Sequence, residues 1–175
     1  MRYVKAALTG LFLGILTSFL FSCAGARLIP HYEGVDPKLE GYVQEYKILA
    51  KYHGITFNNE VSIGFDNIDQ GDIIGQTHYG FYFREIDIDR AFWFNATPIS
   101  RTTLIFHELT HAYCLRDHDY GEGKEYDKKN LNVTEGRFND FCPQSIMFPY
   151  ELDDDCAVAH YQEYIDEMFE RCIPF

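Results

Sequence analysis

The spacing of apolar residues along the chain predicts helices towards both ends and a small sheet between the first two of them. Helical periodicity follows Asp36-Pro37, where a capping side chain precedes a proline at the first helical position, and it stops at Gly54. A second helix begins at Thr97-Pro98 and runs to about Leu115. Asp155 is predicted to cap a last helix, whose apolar face comprises Val158, Tyr161, Ile165, Met168 and Cys172.

Short apolar stretches between the first two helices alternate with polar residues, which is the pattern of strands. Residues 61–65 predict one strand, and a second apolar stretch begins at Ile73. Residues 81–93 predict one or two more strands that end at Trp93. Residues 116–142 are polar and glycine-bearing, which predicts a long loop. The pattern as a whole therefore predicts an α+β fold with a small mixed sheet.

The composition indicates one folded domain and argues against nucleic acid as a partner. The chain has 175 residues, of which 46% are hydrophobic and 17% aromatic, and this apolar content suffices for one packed core. Its formal net charge is −12. Binding to a phosphate backbone needs clustered basic residues, so this charge makes nucleic acid an unsuitable partner.

The N-terminal residues have the pattern of an export signal. Basic residues precede the uncharged stretch 6–21, which is shorter than the roughly 20 residues of a bilayer span. The residues up to Cys23 resemble a bacterial lipobox, which implies cleavage before this cysteine and its lipidation. We therefore predict a signal peptide over 1–22, a lipidated tether over 23–36 and a single domain over 37–175. An ordinary secretory signal or an uncleaved anchor is the alternative.

The cysteines that follow the export signal favour disulfides. There are four of them, and an even number in an oxidising compartment is typical of a disulfide framework. They are Cys114, Cys142, Cys156 and Cys172. Three pairings are possible, and the sequence does not choose among them. Free buried thiols are the alternative.

The second predicted helix carries the sequence His107-Glu108-x-x-His111, which predicts a zinc site. Four helical residues advance by about 400°, so both imidazoles lie on one face, about one turn apart. Two rings in this arrangement can direct a nitrogen at one zinc ion. Glu108 adjoins the first ring and can accept a proton from a water on that ion.

A catalytic zinc site needs a third protein ligand, and two neighbouring residues compete for this role. The chain here resembles the metzincin metallopeptidases, whose pattern is His-Glu-x-x-His-x-x-Gly-x-x-His or Asp. In the family register Asp117 is the ligand, whereas His118 takes the role if the helix runs one residue longer. We favour His118, because imidazole is the commonest ligand for such a metal. Cys114 stands at the family's glycine position, where a disulfide or core thiol is a better interpretation than a thiolate ligand.

A second resemblance lies downstream, in the sequence Ser145-Ile146-Met147. It is similar to the Met-turn of the metzincins, whose methionine forms an apolar floor beneath the zinc ligands, and Met147 matches that position. Taken without the zinc helix, this methionine would be interpreted as core filling. Tyr150 follows three residues later, and some family members have a tyrosine near this point that supports the metal or the oxyanion. Its offset differs here, so an ordinary tyrosine is the alternative.

The metzincin resemblance implies a zinc-dependent endopeptidase of metzincin-like fold, and the lipobox resemblance implies that it is anchored by lipid in a bacterial cell envelope. In this interpretation Glu108 is the general base toward a zinc-activated water. The partner is a peptide or protein substrate, paired with an edge strand between Ile73 and Ile88. Two other functions remain open: a non-catalytic zinc-binding lipoprotein, and a zinc hydrolase of a non-protein amide such as cell-wall peptide. Glu108 favours catalysis, because a structural zinc site closes its fourth position and has no use for a base.

Overall fold

The computed structural model describes residues 29–69, 71–80, 82–119 and 142–174. The predicted signal peptide, its lipidation site Cys23 and most of the predicted long loop lie outside these residues. Within the described ranges, no helix has both the length and the apolar character needed to cross a membrane.

Three strands and five helices make up the described part of the fold, which confirms the predicted α+β class with a small mixed sheet. In chain order the elements are α1 (Glu40–Tyr52), β1 (Ser62–Asp66), β2 (Gly75–Tyr79), β3 (Arg84–Asp89), α2 (Arg90–Asn95), α3 (Pro98–Cys114), α4 (Asp154–Ala159) and α5 (Tyr161–Glu170).

The sheet has the strand order β1-β3-β2, so β2 lies at an edge. β1 runs parallel to β3, with Ile63 opposite Ile86. β2 runs antiparallel to β3, with Thr77 opposite Ile86. On its α3 side, β2 is held by a hydrogen bond from the Tyr79 hydroxyl to the backbone oxygen of His111, at 3.1 Å. The edge strand and α3 therefore lie side by side.

The core lies between the sheet and the helices. Ile63 of β1 and Ile86 of β3 are fully buried together with Ile105 of α3. Tyr46 of α1 is also fully buried, and its hydroxyl lies 3.1 Å from the Thr110 hydroxyl of α3. The amphipathic α1 therefore covers the core, as its periodicity predicted.

Residues that precede α1 lie along the edge of β1 and over the face of the sheet opposite the core. Val35 forms a parallel β-bridge with Ile63. The backbone N–H of Tyr32 donates to the Glu85 carboxylate at 2.9 Å, and this carboxylate has no exposed surface. The end of the predicted tether 23–36 thus lies on the sheet, because its backbone groups find partners there.

The prediction of strand structure up to Trp93 is wrong. β3 ends at Asp89, whose side chain accepts a hydrogen bond from the backbone N–H of Phe92 at 2.7 Å. This cap begins α2, and Trp93 is a buried residue of that helix. The alternating pattern did not reveal the cap, because aromatic residues are frequent in strands.

Two helix starts differ from the predicted positions. Asp36 accepts a hydrogen bond from the backbone N–H of Lys38 at 2.9 Å, so Asp36-Pro37 forms a turn and α1 begins only at Glu40. At the other end of the chain, the cap is Asp153 rather than Asp155. The Asp153 carboxylate accepts the backbone N–H of Asp155 at 2.9 Å.

The predicted last helix is divided in two. The backbone of His160, with φ −119° and ψ 23°, departs from helical geometry and separates α4 from α5. Ile165 and Met168 of α5 are buried as predicted, whereas Val158 of α4 is 66% exposed. The single apolar face therefore holds only for α5.

Two disulfides tie the C-terminal helices to the rest of the domain. Cys114 at the end of α3 is bonded to Cys172 just after α5. Cys142 is bonded to Cys156 of α4. The predicted number of bridges is confirmed, and the pairing is one of the three that the sequence left open. The Cys114 sulfur is consequently not available as a thiolate ligand.

Candidate metal centre

Helix α3 places His107 and His111 one above the other. Its start is fixed by Thr97, whose side chain accepts the backbone N–H of Ser100 at 3.1 Å, with Pro98 at the first helical position. The two imidazole centroids lie 4.7 Å apart. Their Nε2 atoms are separated by only 3.0 Å.

The chain after α3 brings a third imidazole to this pair. α3 ends at Cys114, and Leu115 adopts the left-handed conformation with φ 52°, which turns the chain back. The His118 centroid then lies 5.2 Å from that of His107 and 4.8 Å from that of His111. One ligand atom from each of these three histidines lies within 4.8 Å of the others.

Asp117, the competing residue, is exposed and does not belong to this group. The difference arises at the end of α3. The metzincin pattern has its helix-ending glycine at the position of Cys114. Here the residue in the left-handed conformation is Leu115, one position later. The helix is therefore one residue longer than the family register requires, and His118 rather than Asp117 meets the two helical histidines.

Backbone carbonyl groups fix the orientation of both helical imidazoles. The Nδ1 of His107 lies 2.8 Å from the backbone oxygen of Ile146. The Nδ1 of His111 lies 2.5 Å from the backbone oxygen of Arg116. A carbonyl oxygen only accepts, so each Nδ1 carries the proton and each neutral ring keeps an unprotonated Nε2. Two lone pairs therefore face each other across 3.0 Å.

The pKa values of these rings favour the neutral state. Burial lowers the pKa of His107 to about 3 and that of His111 to about 4, with each helped by neighbouring histidines. Burial also lowers the pKa of His118. At neutral pH the rings are therefore uncharged, and each can offer a nitrogen lone pair to a metal ion. A shared cation would remove the repulsion between the facing nitrogens, so these residues fit a bound metal ion. Three imidazoles suit zinc, copper, iron or nickel.

Glu108 lies beside this group and is 4% exposed. The Thr77 hydroxyl of β2 donates to its Oε2 at 2.7 Å. Burial raises the pKa of Glu108 to about 7, although the hydrogen bond from Thr77 opposes this rise. A carboxyl group with such a pKa can both take up and release a proton near neutral pH.

The segment predicted to be a Met-turn orients His107 through its backbone. Ile146 supplies the carbonyl that orients His107, and Met147 is fully buried. The Ser145 hydroxyl accepts the backbone N–H of Met147 at 3.0 Å and donates to Glu167 at 2.8 Å. This turn is therefore held by α5. The role of Met147 as a floor beneath zinc ligands stays a prediction.

A buried ion pair links the same turn to the segment that carries His118. Arg116 Nη2 lies 2.6 Å from the Glu167 carboxylate, and both side chains are more than nine-tenths buried. The backbone oxygen of Arg116 orients His111. No local sequence pattern indicates this pair, because its members lie 51 positions apart in the chain.

A cleft of about 800 Å³ opens over the three histidines and Glu108. Gly75, Thr77 and Tyr79 of the edge strand line it together with Tyr150. Its apolar wall comprises Ile73, Ile74, Leu104, Ile146, Phe148, Pro149 and Leu152. Tyr150 thus lies at the candidate site, while its suggested role at the metal or the oxyanion stays a prediction.

A second group of potential ligands lies on the other face of the sheet. His31, Asp66 and Asp87 each have a ligand atom within 4.8 Å of the others. Asp87 is buried, and one of its oxygens lies 2.9 Å from Nε2 of His78. Sequence reasoning missed this group, because its members come from the N-terminal segment and two separate strands.

No protein-family model matches the chain, and neither a curated protein nor a solved structure matches it.

Proposed function

We propose that the protein is a zinc metallopeptidase that hydrolyses peptide bonds in the cleft over α3. One observation carries the proposal: the Nε2 atoms of His107 and His111 face each other at 3.0 Å, beside a buried carboxyl group. In this proposal the two rings hold the ion together with His118. Zinc supplies Lewis-acid chemistry when bound, since it acidifies water and polarises a carbonyl group.

Glu108 serves as the general base in this proposal. It takes a proton from the attacking water and then gives that proton to the departing amine, so the carboxylate is regenerated in each cycle. Its position next to His107 in sequence, and its pKa of about 7, support this role. No covalent intermediate between enzyme and substrate is expected, because the nucleophile is water.

The substrate is proposed to be a peptide in extended conformation. β2 lies at the edge of the described sheet and lines the cleft, and an edge strand can pair with an added strand through its backbone. The apolar wall around Leu104 and Phe148 suits an apolar side chain of the substrate. Both features support a peptide over a polar carbohydrate.

The metzincin-like assignment and the envelope location belong to the same proposal. The His107-Glu108-x-x-His111 helix, the buried Met147 and the edge strand beside α3 support the first. The two disulfides support export, since disulfides persist in oxidising compartments. A lipid at Cys23 would anchor the domain to the membrane.

The test is cleavage of an unbiased peptide mixture by the zinc-loaded protein, with and without a chelator, beside Glu108→Gln. We expect cleavage that the chelator abolishes and zinc restores. Glu108→Gln should bind zinc in equal amount and cleave at least 100-fold more slowly, since general-base catalysis contributes about 10²–10⁴-fold. A Glu108→Gln protein that cleaves as fast as the wild type contradicts the role of Glu108.

The two other functions give different results in the same experiment. Stoichiometric zinc without cleavage of any peptide favours a non-catalytic zinc-binding lipoprotein. Cleavage of cell-wall peptide but not of protein-derived peptides favours the hydrolase of a non-protein amide.

A further inference from the structure

Two residues on one face of the edge strand β2, Gly75 and Thr77, lie next to the Glu108 carboxylate. We propose that Thr77 is a positioning residue that fixes the orientation of this carboxylate, and that Gly75 leaves the space that this orientation needs. The inference rests on the proposed function, in which Glu108 moves protons. It assigns roles to two residues outside the zinc motif.

The Thr77 hydroxyl makes a short, direct contact with the carboxylate. Its Oγ1 lies 2.7 Å from Oε2 of Glu108 and 3.2 Å from the backbone oxygen of the same residue. A hydroxyl group has one proton to donate, and donation to a carboxylate is the stronger of the two bonds. One oxygen of Glu108 is therefore held against β2.

The Thr77 hydroxyl is itself well fixed. The backbone of Thr77 pairs with Ile86 of β3, a fully buried residue at the centre of the sheet. Threonine is β-branched, so its χ1 angle has few alternatives. The strand pairing and the restricted χ1 angle together fix the position of the hydroxyl that binds Glu108.

Gly75 lies two residues earlier and therefore on the same face of β2. A Cβ atom at this position would lie 2.7 Å from Oε1 of Glu108 and 2.9 Å from Cδ1 of Leu104. Any other residue would therefore displace the carboxylate or the leucine. Glycine is needed here for close approach rather than for an unusual backbone angle.

Both contacts matter because a general base works only in the correct place. A misplacement of about 1 Å can cost about 100-fold in rate. Without Thr77, the Glu108 side chain keeps its chemistry but loses the partner that selects its orientation. We therefore expect a loss in kcat at unchanged KM and unchanged zinc content.

The experiment compares Thr77→Val, Thr77→Ser and Thr102→Val in the full-length protein. Valine keeps the shape of threonine and removes the hydroxyl, whereas serine keeps the hydroxyl. Thr102 is the matched control, because its hydroxyl also donates to an oxygen, that of Pro98 at 3.0 Å, on α3. Zinc content, kcat and KM on a cleaved peptide, and crystal structures of the metal-free proteins are measured.

Thr77→Val is expected to lower kcat by about 10- to 100-fold, the range for a hydrogen bond to a charged group. KM and zinc content should stay within about twofold of wild type. Thr77→Ser should keep most of the wild-type kcat, because serine retains the hydroxyl. Thr102→Val should have the same kcat as the wild type. In the metal-free crystal structures, the Glu108 carboxylate should have the wild-type orientation in Thr77→Ser and Thr102→Val and a different orientation in Thr77→Val.

Unchanged kcat in Thr77→Val, loss of zinc from it, or failure of Thr77→Ser to restore kcat overturns the inference. If Thr77→Val does not fold, Thr77→Ala takes its place, and unchanged kcat in that variant overturns the inference as well. If the wild type cleaves no peptide, the proposed function fails, and the crystal structures still decide whether Thr77 positions Glu108. A carboxylate that stays in place in Thr77→Val then contradicts the inference.

Discussion

The Nε2 atoms of His107 and His111 lie 3.0 Å apart, and each ring directs its Nδ1 proton at a backbone carbonyl oxygen. Neither ring can turn to offer a proton to the other without losing that bond. The pair is therefore arranged so that one cation could be shared between the two nitrogens.

If zinc binds the three histidines as proposed, its removal is expected to destabilise the fold. A ligand that binds only the folded state stabilises it by about 4 kcal/mol when its free concentration is 1,000 times Kd. Thermal unfolding with zinc and with a chelator measures this effect. His111→Ala should lose most of the zinc-dependent shift in Tm, and an equal shift in this variant would show that zinc binds elsewhere.

Zinc affinity should change little between pH 7 and pH 5.5. A proton competes with the metal only at a ring that it can occupy at that pH. Burial lowers the pKa of His107 to about 3 and that of His111 to about 4, and it also lowers the pKa of His118. Two ordinary imidazoles would each lose about 10-fold in the neutral fraction over this interval. Competition against a chelator of known pH dependence measures the affinity, and a fall of about 100-fold between the two pH values contradicts the prediction.

Leu115→Gly is expected to stabilise the protein. Leu115 has φ 52° and is 46% exposed, so glycine relieves backbone strain at a small loss of burial. The gain should be about 0.5–1 kcal/mol, because the left-handed conformation costs a non-glycine residue about 1–2 kcal/mol and glycine is more flexible when unfolded. Leu115→Ala keeps the strain and serves as the control. Denaturant unfolding measures both, and equal stabilities of the two variants contradict the assignment of strain.

The two disulfides are expected to contribute unequally to stability. The Cys114–Cys172 bridge spans 58 residues and the Cys142–Cys156 bridge spans 14. Chain-entropy estimates give about 4 kcal/mol for the longer loop and about 3 kcal/mol for the shorter one. Paired Cys→Ser variants of each bridge, compared by denaturant unfolding, measure the difference. A larger loss for the Cys142–Cys156 pair would contradict this order.

The features that the sequence predicted well depend on local chemistry. Thr97 and Pro98 define the start of α3 through a cap and a fixed φ, and the spacing of His107 and His111 places both rings on one face. The α+β class follows from periodicity in the same way. Each of these signals acts within a few residues, so no knowledge of the tertiary structure was needed.

The features that the sequence did not determine depend on the fold. The choice between Asp117 and His118 turned on the end of α3, where a leucine rather than a glycine adopts the left-handed conformation. Thr77 contacts Glu108 only because β2 lies at the sheet edge beside α3, 31 residues away in sequence. No local pattern reports such a contact.

The most direct test of the account is a crystal structure of the zinc-loaded protein, with anomalous diffraction recorded at the zinc edge. We expect a single zinc ion about 2.1 Å from Nε2 of His107, Nε2 of His111 and one ring nitrogen of His118, with no fourth protein ligand. Zinc held by four side chains, or no zinc at these three rings, would contradict the account.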